Sequence, residues 1–218
     1  MAFSGGVRLE DIRHGLRTFD TTFFQAPGRL NFYDEHPFKV LLDYAHNTSA
    51  LERICEVVNL LEVTGRKIAV LSAPGDRRDE DIQAMAAATA GAFDYYICRR
   101  DDNLRGRGPD ELPGILAKTL LSAGVPEDAV ECISDEQESV DAALRMALPG
   151  DLVVLFADSL QRTWDQIVEF KPESAGKRAE TTGSPVATLP DLPDSDIGEG
   201  LTVIRDERGV RLAREIDD

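Results

Sequence analysis

A chain of 218 residues with 42% hydrophobic and 29% charged content can bury one substantial core and one further small element. Its formal net charge of -16 excludes the broad basic surface that nucleic-acid phosphates require, although Arg77-Arg78 and the arginines over 99–107 gather into a local cationic patch able to receive phosphate or carboxylate. No apolar stretch reaches the length of a membrane span, and residues 1–6 lack a basic region leading into an apolar one, so the chain reads as cytoplasmic, without membrane or nucleic-acid partners.

Residues 1–37 form a leading segment. Leu9, Ile12 and Leu16 share one side of a short helix over 7–16. Pro27-Gly28 then forces a turn that presents Arg29 before a strand-like stretch. The apolar run Phe38-Lys39-Val40-Leu41-Leu42 has the length and composition of a buried strand, and it ends abruptly in Asp43-Tyr44-Ala45-His46-Asn47. Thr48 or Ser49 caps the next helix, whose apolar positions Leu51, Ile54, Val57, Val58 and Leu61 fit a 3.6-residue period, and Gly65 closes it. A strand over 67–73 runs into Pro74-Gly75-Asp76-Arg77-Arg78-Asp79-Glu80-Asp81, followed by a helix over 80–92. A strand over 95–98 runs into a polar loop over 99–107, followed by a helix over 111–123. The rhythm continues with a strand over 130–133, a helix over 137–147, a strand over 152–157 and a helix over 160–170 that carries Trp164.

Strands alternating with helices predict an α/β, Rossmann-like, mostly parallel sheet over 38–171 with helices on both faces. Residues 172–200 are rich in Pro, Ser, Thr, Gly and Asp and read as a flexible linker. Residues 201–218 read as an acidic tail with a β-hairpin turning at Arg208-Gly209. Cys55, Cys98 and Cys132 lie inside apolar runs and read as reduced core thiols, with no metal ligand set among them. Neither a phosphate loop nor a Gly-x-Gly-x-x-Gly fingerprint is present in the sequence.

Ligands of open α/β sheets sit at the carboxyl edge, where three successive strand ends here carry polar residues. Each stretch has a plainer reading too. Asp43 to Asn47 can be a helix cap beside a packed Tyr; Asp79, Glu80 and Asp81 complement a helix dipole; and the charges over 101–107 can pair with one another on a surface loop.

Asp43-Tyr44-Ala45-His46-Asn47 resembles the strand-end motif of the Mur ligase C-terminal domain, and Ala26-Pro27-Gly28-Arg29 resembles the arginine turn preceding it there. More narrowly, the stretches 19–47, 73–82, 99–107 and 150–170 together resemble cyanophycin synthetases. That resemblance implies an ATP-dependent amide ligase that activates aspartate side-chain carboxylates as acyl phosphates and adds arginine to them. The chain would be its C-terminal lobe, contacting ATP and the amino acid. Mg and the ATP phosphates would be shared with a phosphate-loop lobe, and an ATP-grasp module would act in cis or trans. Lacking the phosphate loop, the lobe would be inactive alone and hold no catalytic residue. The alternative is a free-standing binding or regulatory module that pairs with a separate ligase lobe. The resemblance implies ATP contacts at Arg29, Asp43, Tyr44, His46 and Asn47. It implies amino-acid contacts at Asp76, Arg77, Asp102, Asn103, Arg105 and Arg107, with Asp101, Asp102 or Glu111 facing a guanidinium and Leu104 standing where some Mur ligases carry proline. The partners it implies are arginine or a similar amino acid, an aspartate-containing polymer and the other ligase modules; homo-oligomers stay open.

Overall fold

The computed structural model describes residues 6–18, 21–172, 201–206 and 209–214. The chain divides into two units, one of Met1–Asp20 with Ala175–Asp218 and one of Thr21–Ser174. In the first, α1 (Leu9–Thr18) buries none of its residues, and Arg8 pairs with Asp11 at 2.9 Å.

The second unit runs β1 (Asn31–Tyr33), β2 (Lys39–Asp43), α2 (Thr48–Leu60), β3 (Lys67–Leu71), α3 (Asp79–Thr89), β4 (Tyr95–Cys98), α4 (Glu111–Ser122), a 3-10 turn (Glu127–Ala129), β5 (Val130–Cys132), α5 (Glu136–Met146), β6 (Leu152–Phe156) and α6 (Leu160–Glu169). The sheet order is β1-β2-β6-β3-β4-β5, parallel throughout except for β1, which pairs antiparallel with β2 along an edge. The expected Rossmann-like, mostly parallel sheet is therefore what the chain forms.

Strand alternation sorts the core into two layers, because successive side chains leave opposite faces. Leu41, Ala69, Leu71, Tyr96, Cys98, Val154 and Phe156 pack with Leu51 of α2, Ile82 of α3 and Leu116 of α4. Val40, Leu42, Ile68, Val70, Ile97, Val153 and Leu155 pack with Val140 of α5 and Ile167 of α6, together with Phe23 and Phe38. Every residue of β6 is buried, which is why it reads as an uninterrupted apolar run. Each such side chain contributes about 1.5–3 kcal/mol on burial. Phe23, ahead of β1, stacks flat on Trp164 with centroids 4.6 Å apart, closing the second layer.

Because β6 returns from the far side of the sheet to lie between β2 and β3, neighbouring connections diverge at the carboxyl edge, the position where open α/β sheets take their ligands. No helix among the described residues is long and apolar enough to cross a membrane.

Several expectations need correction. The cap of α2 is Asn47, whose extended backbone lets its Oδ1 accept from the Ala50 N–H at 3.0 Å; Thr48 and Ser49 already lie inside the helix. That helix ends at Leu60, and Gly65 instead donates to the Gly150 carbonyl at 2.9 Å. Cys132 is exposed, so the thiols do not all belong to the core; burial pushes the Cys55 thiol up to about 11 and lifts that of Cys98 further. In the hairpin, β7 (Leu201–Asp206) pairs antiparallel with β8 (Gly209–Arg214), with Gly209 opposite Asp206. The expected turn residue Arg208 and the linker residues 173–200 lie outside the described residues.

Candidate functional site at the carboxyl edge of the sheet

The Arg29 turn is built by two buried polar residues. Asn31, fully buried in β1, accepts from the Gly28 N–H at 2.6 Å and donates through Nδ2 to the carbonyls of Thr21 (2.8 Å) and Ala26 (2.9 Å). Asp43, at the end of β2, accepts from the Leu30 N–H at 2.8 Å. The Tyr44 N–H donates to the Gly28 carbonyl at 3.0 Å, binding the turn to the strand end. Gly28 has φ +70°, and a Cβ there would crowd Tyr44 and Leu160. Leu30 also has positive φ, 51°, a conformation costly for a bulky residue, and its N–H is fixed by Asp43. Burial lifts the Asp43 carboxyl above its ordinary range, opposed by the N–H groups of Leu30, Ala45 and Tyr44 and by the charge of Arg29.

This scaffold leaves Arg29 exposed, its guanidinium in no hydrogen bond or ion pair with the described residues. Beside it, Tyr44 is 39% exposed and its ring lies 5.0 Å from that of His46. His46 Nδ1 donates to the Tyr44 carbonyl at 3.0 Å. Asn47 is engaged as the α2 cap. The five residues expected on the nucleotide side therefore share one strand end and its neighbouring turn. Two of them, Asp43 and Asn47, carry hydrogen bonds that shape it.

The second group lies on the loops after β3 and β4, which interlock. Asp101, 9% exposed, accepts from the Gly75 N–H at 3.3 Å and the Asn103 N–H at 3.0 Å. A Cβ on Gly75 would lie 2.8 Å from the Leu104 carbonyl oxygen, so glycine permits the approach. Arg107 reaches across to donate to the carbonyls of Gly75 (2.9 Å) and Arg77 (2.6 Å) and pairs with Asp79 and Glu111. Arg105, at φ +50°, pairs with Asp76 at 2.9 Å, and its N–H is held by Asn103 Oδ1 at 3.1 Å. Asp102 pairs with Arg162 of α6 at 2.6 Å. All six residues expected on the amino-acid side are thus brought to one pair of loops.

The free cationic patch expected over 77–78 and 99–107 is not what forms. Arg78 pairs with Asp81, Arg105 with Asp76, and Arg107 with two acids; Arg99 is wholly buried. Within that set Arg77 alone has a guanidinium with no hydrogen bond or ion pair to the described residues.

Beneath these loops lies a network that sequence reasoning missed. Arg99 donates to the carbonyls of Phe156 and Arg100, both at 2.7 Å, and pairs with Glu136 at 3.0 Å and Asp158 at 2.9 Å. Glu136, 1% exposed, also accepts from the Thr163 hydroxyl (2.7 Å) and the N–H groups of Asp158 (3.2 Å) and Ser159 (3.4 Å), thereby tying the segment that leads into α6, and its first turn, to a neighbouring helix. Burial alone would raise the Glu136 carboxyl. Arg99, the Thr163 hydroxyl, the Asp158 N–H and Arg162 together outweigh it and hold the group below its ordinary range. Ser72 Oγ, Arg99 Nε and Arg162 Nε are buried at this edge without partners. No group of three or more His, Cys, Asp or Glu among the described residues is placed to hold a metal ion.

The comparisons agree with this fold. A cyanophycin synthetase of Crocosphaera subtropica is 38% identical over 171 residues, covering 78% of this chain and 19% of that protein. The chain therefore spans about a fifth of that curated relative's length. A solved UDP-N-acetylmuramoyl-L-alanyl-D-glutamate--2,6-diaminopimelate ligase shares the fold with a TM-score of 0.54 at 20% identity, over 77% of this chain and 36% of that one. E. coli FolC, solved in complex with ADP, shares it at 0.51 and 24% identity, over 65% of this chain and 31% of that one. The Mur ligase, glutamate ligase domain family matches residues 28–158, more than half of the chain and the whole of the interlocked strand ends, and this chain belongs to that family.

Proposed function

We propose that the chain is the ATP- and amino-acid-contacting lobe of a cyanophycin-synthetase-like carboxylate–amine ligase, which adds arginine to aspartate side-chain carboxylates through an acyl phosphate. The observation that carries this reading is an unpaired guanidinium, Arg29, on the turn bound to the strand end that bears the exposed Tyr44 and the half-buried His46, at the same sheet edge as the loops bearing Arg77, Asn103 and Arg105. A cation beside flat rings suits a nucleotide: Arg29 meets phosphate charge, while Tyr44 and His46 face the adenosine. Asp43 and Asn47 fix the segment bearing those rings. Arg77 and Arg105 suit the carboxylate of the incoming amino acid, with Asn103 as a neutral partner and Arg107 securing the loop. Asp76 pairs with Arg105, and Asp102 pairs with Arg162 beside the same loop.

The same reading assigns activation of the carboxylate to a lobe carrying the phosphate loop, because this chain has none. What this lobe contributes is binding and orientation: it holds the amine nucleophile in line and neutralises charge in a partly closed cleft. ATP enters as its Mg complex, held mainly by the other lobe.

Reconstitution tests it. Added to a cyanophycin synthetase lacking its own glutamate ligase domain, the chain restores ATP-dependent arginine incorporation, and alone it supports none. Sustained incorporation by the isolated chain, or restored incorporation unaffected by Arg29→Ala, would overturn the reading.

A further inference from the structure

The loop over 101–107 carries backbone strain at Arg105 and a left-handed glycine at Gly106, φ +90°. Its internal bonds, Asp101 to the Asn103 N–H and Asn103 to the Arg105 N–H, are local and do not fix where the loop sits. Ties to other elements do that. Several run to the loop after β3: Asp101 to the Gly75 N–H, Arg105 to Asp76, and Arg107 to Asp79 and to the carbonyls of Gly75 and Arg77. Another runs to the other side of the sheet, and its anchor is of a different kind.

Arg162 projects from the first turn of α6 and shares Nη2 between Asp102 Oδ2 at 2.6 Å and Glu136 Oε1 at 3.4 Å. Glu136 is immobilised: it receives Arg99, the Thr163 hydroxyl and two backbone N–H groups, and it is 1% exposed. Arg162 is itself only partly exposed and keeps Nε buried without a partner. An ordinary surface pair does not tolerate that desolvation, because an exposed side chain turns its donors to water.

We propose that Arg162 is a positioning residue for amino-acid recognition, coupling Asp102 to the buried Glu136 carboxylate and so holding Asn103 and Arg105 where they meet the substrate carboxylate. The inference rests on the reading of this loop as the amino-acid site. It gives Asp102 a role through Arg162 and not as a direct partner of the incoming guanidinium. The two roles predict opposite signs. If Asp102 bound the substrate guanidinium, Arg162 would compete with the substrate, and its removal would tighten binding. If Arg162 positions the loop, its removal weakens binding.

Amide hydrogen exchange on the full 218-residue chain, combined with calorimetric titration of L-arginine and ADP, separates these cases. Arg162→Met and Asp102→Asn are each expected to accelerate exchange at Asn103 and Arg105 about fivefold, the double variant no more than either alone, and Arg162→Lys to recover part of the protection. L-arginine affinity falls by the same factor while ADP affinity holds. Unchanged exchange in both Arg162→Met and Asp102→Asn, or tighter arginine binding in Arg162→Met, overturns the proposal. Accelerated exchange in a wild-type background that binds no arginine sustains the coupling while removing the amino-acid reading of the loop.

Discussion

At the amino edge of the sheet, Asp151, 3% exposed, accepts from the Arg66 N–H, the Arg66 guanidinium and the Leu148 N–H. At the carboxyl edge, Arg99 is likewise buried against Glu136 and Asp158. Both ends of one sheet therefore hold an arginine–carboxylate pair; at the carboxyl edge both partners are buried, at the amino edge only the carboxylate is, and the two differ in what surrounds them. The amino-edge pair closes a junction in which Gly65 meets Gly150 and none of the pair's buried side-chain atoms is left without a partner. Around the carboxyl-edge pair stand three unpartnered buried atoms, two non-glycine residues at positive φ, and the unpaired guanidinia of Arg29 and Arg77. Strain and unspent polar capacity collect at the edge proposed to take ligands, whereas the buried carboxylate at the amino edge is fully satisfied.

Breaking the pair at either end should reveal the difference. Arg99→Met strands Glu136 and Asp158 and is expected to cost about 3–5 kcal/mol in chemical denaturation. Asp151→Asn at the amino edge weakens the Arg66 contact for about 2 kcal/mol, and calorimetry should show ligand affinities unchanged. Gly75→Ala pushes a methyl group toward the Leu104 carbonyl; about 1–2 kcal/mol of stability is expected to go, with L-arginine affinity falling and ADP affinity holding.

The subtlest contrast is in pH. The Glu136 carboxyl is held low in the folded protein, so its stabilising contribution is complete above the ordinary glutamate range and is lost as pH falls through that range toward the native value. Asp43, lifted by burial, contributes with the opposite sign: the folded state gains relative stability as pH falls from the raised native value toward the ordinary aspartate range. Denaturation curves taken against pH should show a flatter acid limb for Glu136→Gln and a steeper one for Asp43→Asn.

The layered sheet was legible because β2, β3 and β6 are short apolar runs and the intervening helices keep a 3.6-residue period. The loops that gather at one edge followed from strand alternation with helices. The Arg99 network was not legible: a charge directly after an apolar strand reads as the start of an exposed loop, and its acidic partners come from α5 and the end of β6, with no local signal linking them. The cap of α2 failed for a smaller reason. Asn47, Thr48 and Ser49 are consecutive capping types, and only the extended backbone at Asn47 selects among them. Asn31 was passed over as a strand residue, although an amide in a strand beside a Pro-Gly turn is a clue to turn-binding side chains.

The central claim is that the carboxyl edge, and not the amino edge, is a docking face for nucleotide and amino acid. Backbone amide shift mapping of the isotopically labelled chain tests it directly. The account predicts that ADP perturbs Arg29, Tyr44 and His46, that L-arginine perturbs Arg77, Asn103 and Arg105, and that Arg66, Asp94 and Asp151 stay still. Perturbations centred on Arg66, Asp94 and Asp151, with the carboxyl edge silent at millimolar ligand, would contradict it.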